Sequence, residues 1–296
     1  MKIFAIDIGS NSVRLACIAD GKTLYKRLET TRLGEGLSRT GKINSEALER
    51  TALAVSAFVC FAKKEGADRL YAFATAAVRA AENGSEFVTR VKELCGVTVD
   101  VISGEREAEC GILGALRGGD GGIIDVGGAS TEVTVQRGGK TVYSKSFDIG
   151  AVRLFDLAGR DRAELEKVIK EKITEYGEFD CFCRSERSEE PPEMYAIGGT
   201  ATTLASVKHG LKVYDPAITD GTVLTQNEVK ELAEKLLKLS VEEVRALDGM
   251  EPRRADVIGG GCLLLYGIMK KFKIEEITVS ESDNLEGYVL LKEELA

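Results

Sequence analysis

Histidine is nearly absent from this 296-residue sequence, in which His209 is the only one. With a single His and cysteines that lack the spacing of zinc ligands, a zinc site built from Cys and His is not expected, and a Ser-His-Asp triad would have to use His209. The surrounding Lys208-His209-Gly210 instead indicates an exposed helix end. General acid or base chemistry is therefore expected from carboxylates, Lys, Tyr or water.

Regularly spaced cysteines are also lacking, although seven cysteines are present. Most of them lie in apolar segments, where cysteine behaves as a small buried side chain. Cys181 and Cys183 form the one close pair, and the remaining ligands of a zinc site are missing. The cysteines therefore predict no metal site.

No apolar run approaches the length that crosses a bilayer, and the chain starts with a strand-like segment rather than a secretory signal. The formal net charge of −8 argues against a general nucleic-acid binder, because phosphate neutralisation needs clustered Lys and Arg. A phosphorylated substrate is still compatible with a local basic patch. We expect a cytoplasmic protein without a nucleic-acid or membrane partner.

Two nucleotide-binding motifs, the P-loop GxxxxGK[ST] and the dinucleotide fingerprint GxGxxG, are absent too. Glycine itself is abundant, with 32 residues or about 11% of the chain against a usual value of about 7%. Several glycines cluster directly after apolar runs, which indicates specific turns. A glycine-rich break at residues 117–122 divides the chain into predicted domains 1–118 and 119–296, and the length also favours two domains.

Both predicted domains open with the same pattern. Residues 3–12 form an apolar strand that ends at Asp7 and a turn of Gly, Ser and Asn, and residues 123–132 repeat this with Asp125. Backbone N–H groups and hydroxyls in such turns can bind an anion, and an acid beside them suits a divalent cation. A tight hairpin turn with solvated polar residues is the alternative. With a third glycine turn at residues 198–200, three turns are expected to face one phosphorylated ligand in a cleft.

On these residues the chain resembles the exopolyphosphatase/guanosine-pentaphosphate phosphatase family, within the actin, Hsp70 and sugar-kinase superfamily. The main similarities are Ala5-Ile-Asp7-Ile-Gly9-Ser10-Asn11-Ser12-Val-Arg14, Ile124-Asp125-Val-Gly127-Gly128-Ala129-Ser130-Thr131-Glu132 and Ile197-Gly198-Gly199-Thr200. Further matches at residues 32–37, 74–79, 102–108, 150–154 and 253–258 extend the resemblance over essentially the whole chain. It implies an α/β fold with two ribonuclease-H-like (actin-like ATPase) domains, each a mixed five-stranded sheet flanked by helices, with a cleft between them.

The resemblance also implies a hydrolase that uses Mg²⁺ to release terminal phosphate from inorganic polyphosphate or guanosine pentaphosphate. Glu107 stands where the family places its catalytic base and would polarise the attacking water. A solvated first-turn acid favoured by the helix dipole is the alternative for this residue. The implied Mg²⁺ ligands, directly or through water, are Asp7, Asp125 and Glu132. The implied phosphate ligands are Gly9, Ser10, Asn11, Ser12, Arg14, Arg79, Gly127, Gly128, Ala129, Ser130, Thr131, Gly198, Gly199 and Thr200.

Rival functions are an ATP-dependent small-molecule kinase and a non-catalytic guanosine-tetraphosphate-binding or assembly protein of the same fold. Substrate preference and homodimer formation are left open. The chain departs from the family pattern at Arg106, Ala129, Asp220 and residues 284–287, where a commonly seen Arg is missing. A basic route for a long polyanion is also left open, and its candidates are Arg153, Arg253, Arg254, Lys270 and Lys271.

Overall fold

The computed structural model describes residues 1–177 and 192–294. The Ser, Glu and Pro content of residues 181–192 predicts a surface loop. Apart from Pro192, this segment lies outside the described residues, and so do Cys181 and Cys183 within it. Within the described ranges, no helix combines the length and the apolar character that a bilayer span requires.

The first sheet contains five strands in the order β3-β2-β1-β4-β5. They are β1 (Lys2–Ile8), β2 (Ser12–Ala19), β3 (Lys22–Thr30), β4 (Arg69–Ala74) and β5 (Asp100–Val101). The antiparallel β1, β2 and β3 form the meander that the sequence predicts, and β4 joins β1 in parallel. Nearly all of β1 is buried, which explains its continuous apolar sequence. The sequence over residues 97–102 predicts a strand, of which the structure forms only the two-residue β5.

Helices cover both faces of this sheet. The described part of the first half contains α1 (Leu37–Thr40), α2 (Ser45–Lys64), α3 (Ala76–Ala80), α4 (Gly84–Cys95) and α5 (Gly104–Leu116). The predicted cap of α2 is confirmed, because the Asn44 side chain accepts a hydrogen bond of 2.7 Å from the Ala47 backbone N–H. Apolar residues of α2 and α4, such as Val55 and Phe87, share one core cluster with β1.

The second sheet contains six strands in the order β10-β11-β9-β6-β7-β8, one more than expected. They are β6 (Gly121–Val126), β7 (Thr131–Arg137), β8 (Lys140–Phe147), β9 (Met194–Ile197), β10 (Val223–Thr225) and β11 (Glu276–Val279). The additional strand is β10, three residues at the sheet edge. β6 pairs antiparallel with β7 and parallel with β9, so it repeats the surroundings of β1.

The described helices of the second half surround this sheet and its large core. They are α6 (Ala151–Ala158), α7 (Arg162–Thr174), α8 (Gly198–His209), α9 (Pro216–Thr219), α10 (Gln226–Lys238), α11 (Val241–Arg245), a 3-10 helix (Pro252–Arg254), α12 (Ile258–Phe272) and α13 (Asn284–Glu294). Thr225 followed three residues later by Glu228 predicts a capping box at the start of α10, and it is confirmed, because each side chain accepts from the other residue's backbone N–H. α12 is apolar and mostly buried in this core.

The last helix, α13, packs against the first sheet rather than the second. Tyr288 stacks on Phe73 with ring centroids 4.3 Å apart, and Leu285 and Val289 share a core cluster with Ile3. The described chain therefore returns to its first sheet after completing the second. The division at residues 118 and 119 stays a prediction from the sequence.

Candidate active site

Two loops with matching backbone geometry stand at the ends of β1 and β6. The Gly9 N–H donates to the Ser12 carbonyl at 3.0 Å, and the Gly127 N–H donates to the Ser130 carbonyl at the same distance. We call residues 9–12 the first loop and residues 127–131 the second loop. The repeat seen in the sequence is thus a repeat of local structure.

Equivalent strand positions in the two repeats carry opposite charges. Asp7 lies opposite Arg14 in the β1–β2 ladder, and Asp125 lies opposite Glu132 in the β6–β7 ladder. Each partner follows its aspartate by the same interval along the chain. The first repeat therefore neutralises its own acid, whereas the second repeat places two acids together.

The two loops contact each other across the cleft. A Cβ atom added at Gly128 would lie 2.8 Å from the Ser10 Cβ and 3.2 Å from the Asn11 backbone N. Real Cβ atoms do not approach other atoms so closely, so only glycine allows the loops to meet in this way.

The cleft between the sheets encloses about 640 Å³, part of it open to solvent. Most of the predicted site residues line it: Asp7, Gly9, Ser10, Asn11, Ser12, Arg14, Glu107, Asp125, Gly127, Gly128, Ala129, Ser130, Gly198, Gly199 and Thr200. Sequence positions from both halves of the chain therefore converge on one cavity, as the repeated turns predict.

Three of the predicted residues do not line this cavity. The Thr131 hydroxyl donates to the Ile149 carbonyl at 2.5 Å, so it supports the backbone behind the loop. Arg79 donates to Glu107 at 3.1 Å and to the Ile102 carbonyl at 2.7 Å. Glu132 is 1% exposed, and its Oε1 accepts a hydrogen bond of 2.6 Å from the Ser146 hydroxyl.

Arg14 reaches the cavity, but buried carboxylates hold its guanidinium. Its Nε donates to Asp7 Oδ2 at 3.0 Å, and its Nη1 donates to Asp283. Much of its charge and donor capacity is therefore met within the protein, which weakens the prediction that Arg14 is a phosphate ligand.

Arg254 is a buried cation without such a partner. It is 8% exposed, and within residues 1–177 and 192–294 no carboxylate lies at salt-bridge distance from it. Its closest described polar contact is the Ser12 hydroxyl at 3.5 Å, and a Cβ atom at Gly199 would lie 2.2 Å from its Nη2. Burial lowers the pKa of Arg254. A buried and unpaired guanidinium that lines the cleft is suited to an anionic ligand.

The carboxylates of the cleft have strongly perturbed acidity. Burial raises the pKa of Glu107 to about 8, against the opposing effect of Arg79. Burial also raises the pKa of Asp125 to about 7 and moves the pKa values of Asp7 and Glu132 in the same direction. Adjacent carboxylates add to these shifts, so the cluster holds protons more strongly than isolated acids do.

The same cluster suits a hydrated cation. Asp7 Oδ1 and Glu132 Oε2 are buried and have no hydrogen-bond partner among the described residues. Among the described residues, no group of three or more His, Cys, Asp or Glu side chains is arranged to bind a metal ion. Mg²⁺ is commonly held by one or two carboxylates plus waters, so the residues fit that ion better than a metal that needs a full protein cage.

The structure adds three polar residues that the sequence did not assign to the site: Thr75, Arg254 and Asn284. Thr75 follows β4, which is parallel to β1, so its position at the same sheet edge as Asp7 was a usable signal. Arg254 lies in a matched motif and was named from the sequence only as a candidate of the basic route. Asn284 reaches the cleft through tertiary packing and donates to Asp125 Oδ2 at 3.0 Å.

Two departures from the family pattern have structural partners away from the cleft. Arg106 pairs with Glu109 at 2.7 Å on the surface of α5. Asp220 accepts a hydrogen bond of 2.9 Å from the Glu281 N–H. The third, Ala129, is buried and lines the cleft, where its methyl group leaves the second loop intact.

The candidate residues of a basic route do not converge. Arg253 pairs with Glu29 at 2.6 Å, and Arg153 contacts Asp148. Lys270 and Lys271 lie at the far end of α12, whose 15 residues span about 22 Å. Of these candidates, Arg254 alone lines the cleft.

Comparison with known proteins gives a consistent result along the whole chain. The "Exopolyphosphatase 2" of Mycobacterium tuberculosis is 29% identical, over 98% of each chain. The "Guanosine-5'-triphosphate,3'-diphosphate pyrophosphatase" of Photobacterium profundum is 27% identical, over 96% of this chain and 58% of that protein.

Solved structures show the same relationship. An exopolyphosphatase from Cytophaga hutchinsonii superposes with a TM-score of 0.86 at 25% identity, covering 99% of this chain and 98% of that one. The Aquifex aeolicus PPX-GPPA enzyme gives a TM-score of 0.76 at 29% identity, covering 98% and 99%. The model of the Ppx/GppA phosphatase family matches residues 12–295. Sequence, fold and cleft together show that the chain belongs to the Ppx/GppA phosphatase family.

Proposed function

We propose that the protein is a Mg²⁺-dependent phosphoanhydride hydrolase that releases terminal phosphate from inorganic polyphosphate, guanosine pentaphosphate or both. The observation that carries the proposal is the position of Glu107, a buried acid of raised pKa, in the same cavity as both loops. The names of the relatives support this substrate class, because one is an exopolyphosphatase and another acts on a guanosine phosphate.

The loops and Arg254 would bind the terminal phosphate. Glycine-rich turns expose backbone N–H groups to an anion, and the Asn11 amide is buried without a hydrogen-bond partner among the described residues. Arg254 supplies the buried positive charge that Arg14 has already committed to Asp7 and Asp283. Such pre-arranged donors favour the charge distribution of phosphoryl transfer.

Asp125, which lines the cleft, would hold Mg²⁺ directly or through water, and Glu132, its partner in the β6–β7 ladder, would add negative charge from outside the lining. Their repeat equivalents, Asp7 and Arg14, already form an ion pair, so the unmet negative charge lies in the second repeat. When bound, Mg²⁺ would neutralise negative charge on phosphate oxygens. Asp7 would contribute its free Oδ1 from the other side of the cleft.

Glu107 would accept the proton of the attacking water. Its raised pKa keeps it close to the pH at which proton transfer is efficient. Arg79 donates to Glu107 Oε2 and to the Ile102 carbonyl, which fixes the orientation of the carboxylate. Arg79 thus acts on the base rather than on the phosphate.

A phosphate-release assay with polyphosphate, guanosine pentaphosphate and ATP, each with Mg²⁺, tests the proposal. We expect release from at least one of the first two substrates, loss of release with EDTA, and a decrease of about 100-fold or more in kcat for Glu107→Gln. Glu105→Gln is the matched control, because Glu105 is an exposed acid in the same first turn of α5. No release from either substrate, or full activity of Glu107→Gln, would contradict the proposal; phosphate transfer from ATP to a small molecule would indicate a kinase.

A further inference from the structure

The start of α13 is linked to the motif aspartates of both repeats, to one directly and to the other through Arg14. Asn284 donates from Nδ2 to Asp125 Oδ2 at 3.0 Å, and the preceding Asp283 accepts from Arg14, which in turn binds Asp7. Asp7 and Asp125 belong to different sheets. Two consecutive residues therefore connect the two walls of the cleft.

The contact with Asn284 orients the carboxylate of Asp125. Asn284 is 4% exposed and lines the cleft, and its Oδ1 has no hydrogen-bond partner in the described part of the chain. Its Nδ2 holds only one oxygen of Asp125. The amide thus fixes the rotation of this carboxylate while the other oxygen is left for a ligand.

The Asp283 contact acts on Asp7 through Arg14. Both nitrogens that Arg14 directs at Asp7 bind the same oxygen, Oδ2, and the buried Oδ1 of Asp7 is without a partner. Asp283 binds the remaining arm of the guanidinium and lies 3.6 Å from the Lys26 Nζ. The guanidinium is therefore held from both ends, so it cannot turn away from Asp7.

The start of α13 is itself fixed on the first sheet. Glu286 accepts from the Asp283 backbone N–H at 3.0 Å, from Thr23 at 2.6 Å and from Lys26 at 3.0 Å. Asp283 Oδ1 caps the helix by accepting from the Leu285 N–H. Neither Asp283 nor Asn284 can move independently of β2 and β3.

We propose that Asp283 and Asn284, the aspartate bracket, are positioning residues that set the distance and orientation of Asp7 relative to Asp125 for the cation and the terminal phosphate. This inference rests on the proposed function, because it assigns a task to the residues around that site. The bracket acts through Arg14 and Asp125, and neither bracket residue is assigned a chemical step. Outer contacts of this kind typically change metal affinity or activity by about 10- to 100-fold when they are removed.

Manganese titration calorimetry in the presence of inorganic phosphate tests the bracket without turnover. For Asn284→Ala and Asp283→Asn we expect the Mn²⁺ dissociation constant to rise about 10-fold, kcat to fall by a similar factor, and KM for polyphosphate to change little. Asn284→Ala removes a single neutral hydrogen-bonding group, so this variant decides the question even where Asp283→Asn folds poorly.

Tyr288→Phe is the matched control on the same helix. It removes the 2.8 Å hydrogen bond to Asp100 and leaves the contacts of Asp283 and Asn284 with Arg14 and Asp125 in place, so we expect a lower Tm with unchanged Mn²⁺ affinity. Wild-type Mn²⁺ affinity in Asn284→Ala, or equal weakening in Tyr288→Phe, would overturn the bracket while leaving hydrolysis by the wild type intact. Mn²⁺ binding by a wild type that releases no phosphate would defeat the proposed function alone, and a wild type that binds no Mn²⁺ would overturn both.

Discussion

Glu107 and its neighbours show how far single residues could be identified from sequence. Asp7 and Asp125 lie in repeated motifs whose backbone geometry is local, so their place in the cleft was predictable, whereas Glu107 was assigned to the site only through the family resemblance. The ion pairing of Arg14 was not predictable, because its partner Asp283 lies 269 residues later in the chain. Arg254 and Asn284 could not be assigned to the site for the same reason, because their positions in the cleft depend on packing between distant segments.

The pH dependence of the reaction should respond to Arg79. The Arg79 guanidinium opposes the burial that raises the pKa of Glu107, so Arg79→Met should raise that pKa further. A base must be deprotonated to act, and the acid limb of kcat/KM should therefore move to higher pH by up to about one unit. A pH profile of kcat/KM measures this shift.

Arg106→Met is the control for that profile. Arg106 is a cation next to Glu107 in the first turn of α5, but it pairs with Glu109 on the surface. Removal of the Arg106 charge should leave the acid limb of the kcat/KM profile at its wild-type pH. A limb that stays fixed or moves to lower pH in Arg79→Met would show that Arg79 does not act on the base.

At the level of elements, the repeated ββ unit was predictable, whereas the edge strand β10 and the short extent of β5 were not. β1 and β6 are long, apolar and followed by glycine turns, and both were identified. β10 has three residues and β5 has two, which is too short for a periodic pattern. Such strands exist because a neighbouring strand offers hydrogen bonds, and that information lies in the tertiary structure.

The contact between the two loops should be sensitive to one methyl group. In Gly128→Ala the new Cβ would lie 2.8 Å from the Ser10 Cβ, so the loops must separate. Displacement of phosphate donors by about 1 Å can reduce activity by about 100-fold, and we expect kcat/KM to fall by up to that factor. Steady-state assays with polyphosphate check this.

Gly260→Ala provides the comparison. Its Cβ would meet Leu165 at 3.5 Å, an ordinary contact inside α12, and alanine favours a helix. Activity should be retained in this variant. Equal activity in both variants would mean that the loops do not need their close approach.

For the whole molecule, the buried acids predict a stability that falls as pH rises. Glu107 and Asp125 have folded pKa values of about 8 and about 7, above the unfolded values of about 4. The folded protein thus binds more protons than the unfolded chain in this window, so stability should decline between about pH 5 and about pH 8. Carboxylates with lowered pKa, such as Glu228, act below this range.

Thermal unfolding with and without Mg²⁺ measures this effect. Mg²⁺ binds the ionised acids, so it should raise Tm more at about pH 8 than at about pH 6. Glu107→Gln should flatten part of the decline in the absence of the ion. A Tm that rises steadily with pH in the metal-free protein would contradict the assigned shifts.

The return of α13 to the first sheet also has a consequence for how the protein is made. Residues 283–286 leave the ribosome long after β1, β2 and β3, yet they hold Arg14 and Lys26 in place. A nascent chain can form the first meander early, but Arg14 gains its contact with Asp283 only after residue 283 has been synthesised. A nascent chain that has not reached residue 283 therefore carries both loops and still lacks a fully assembled cleft.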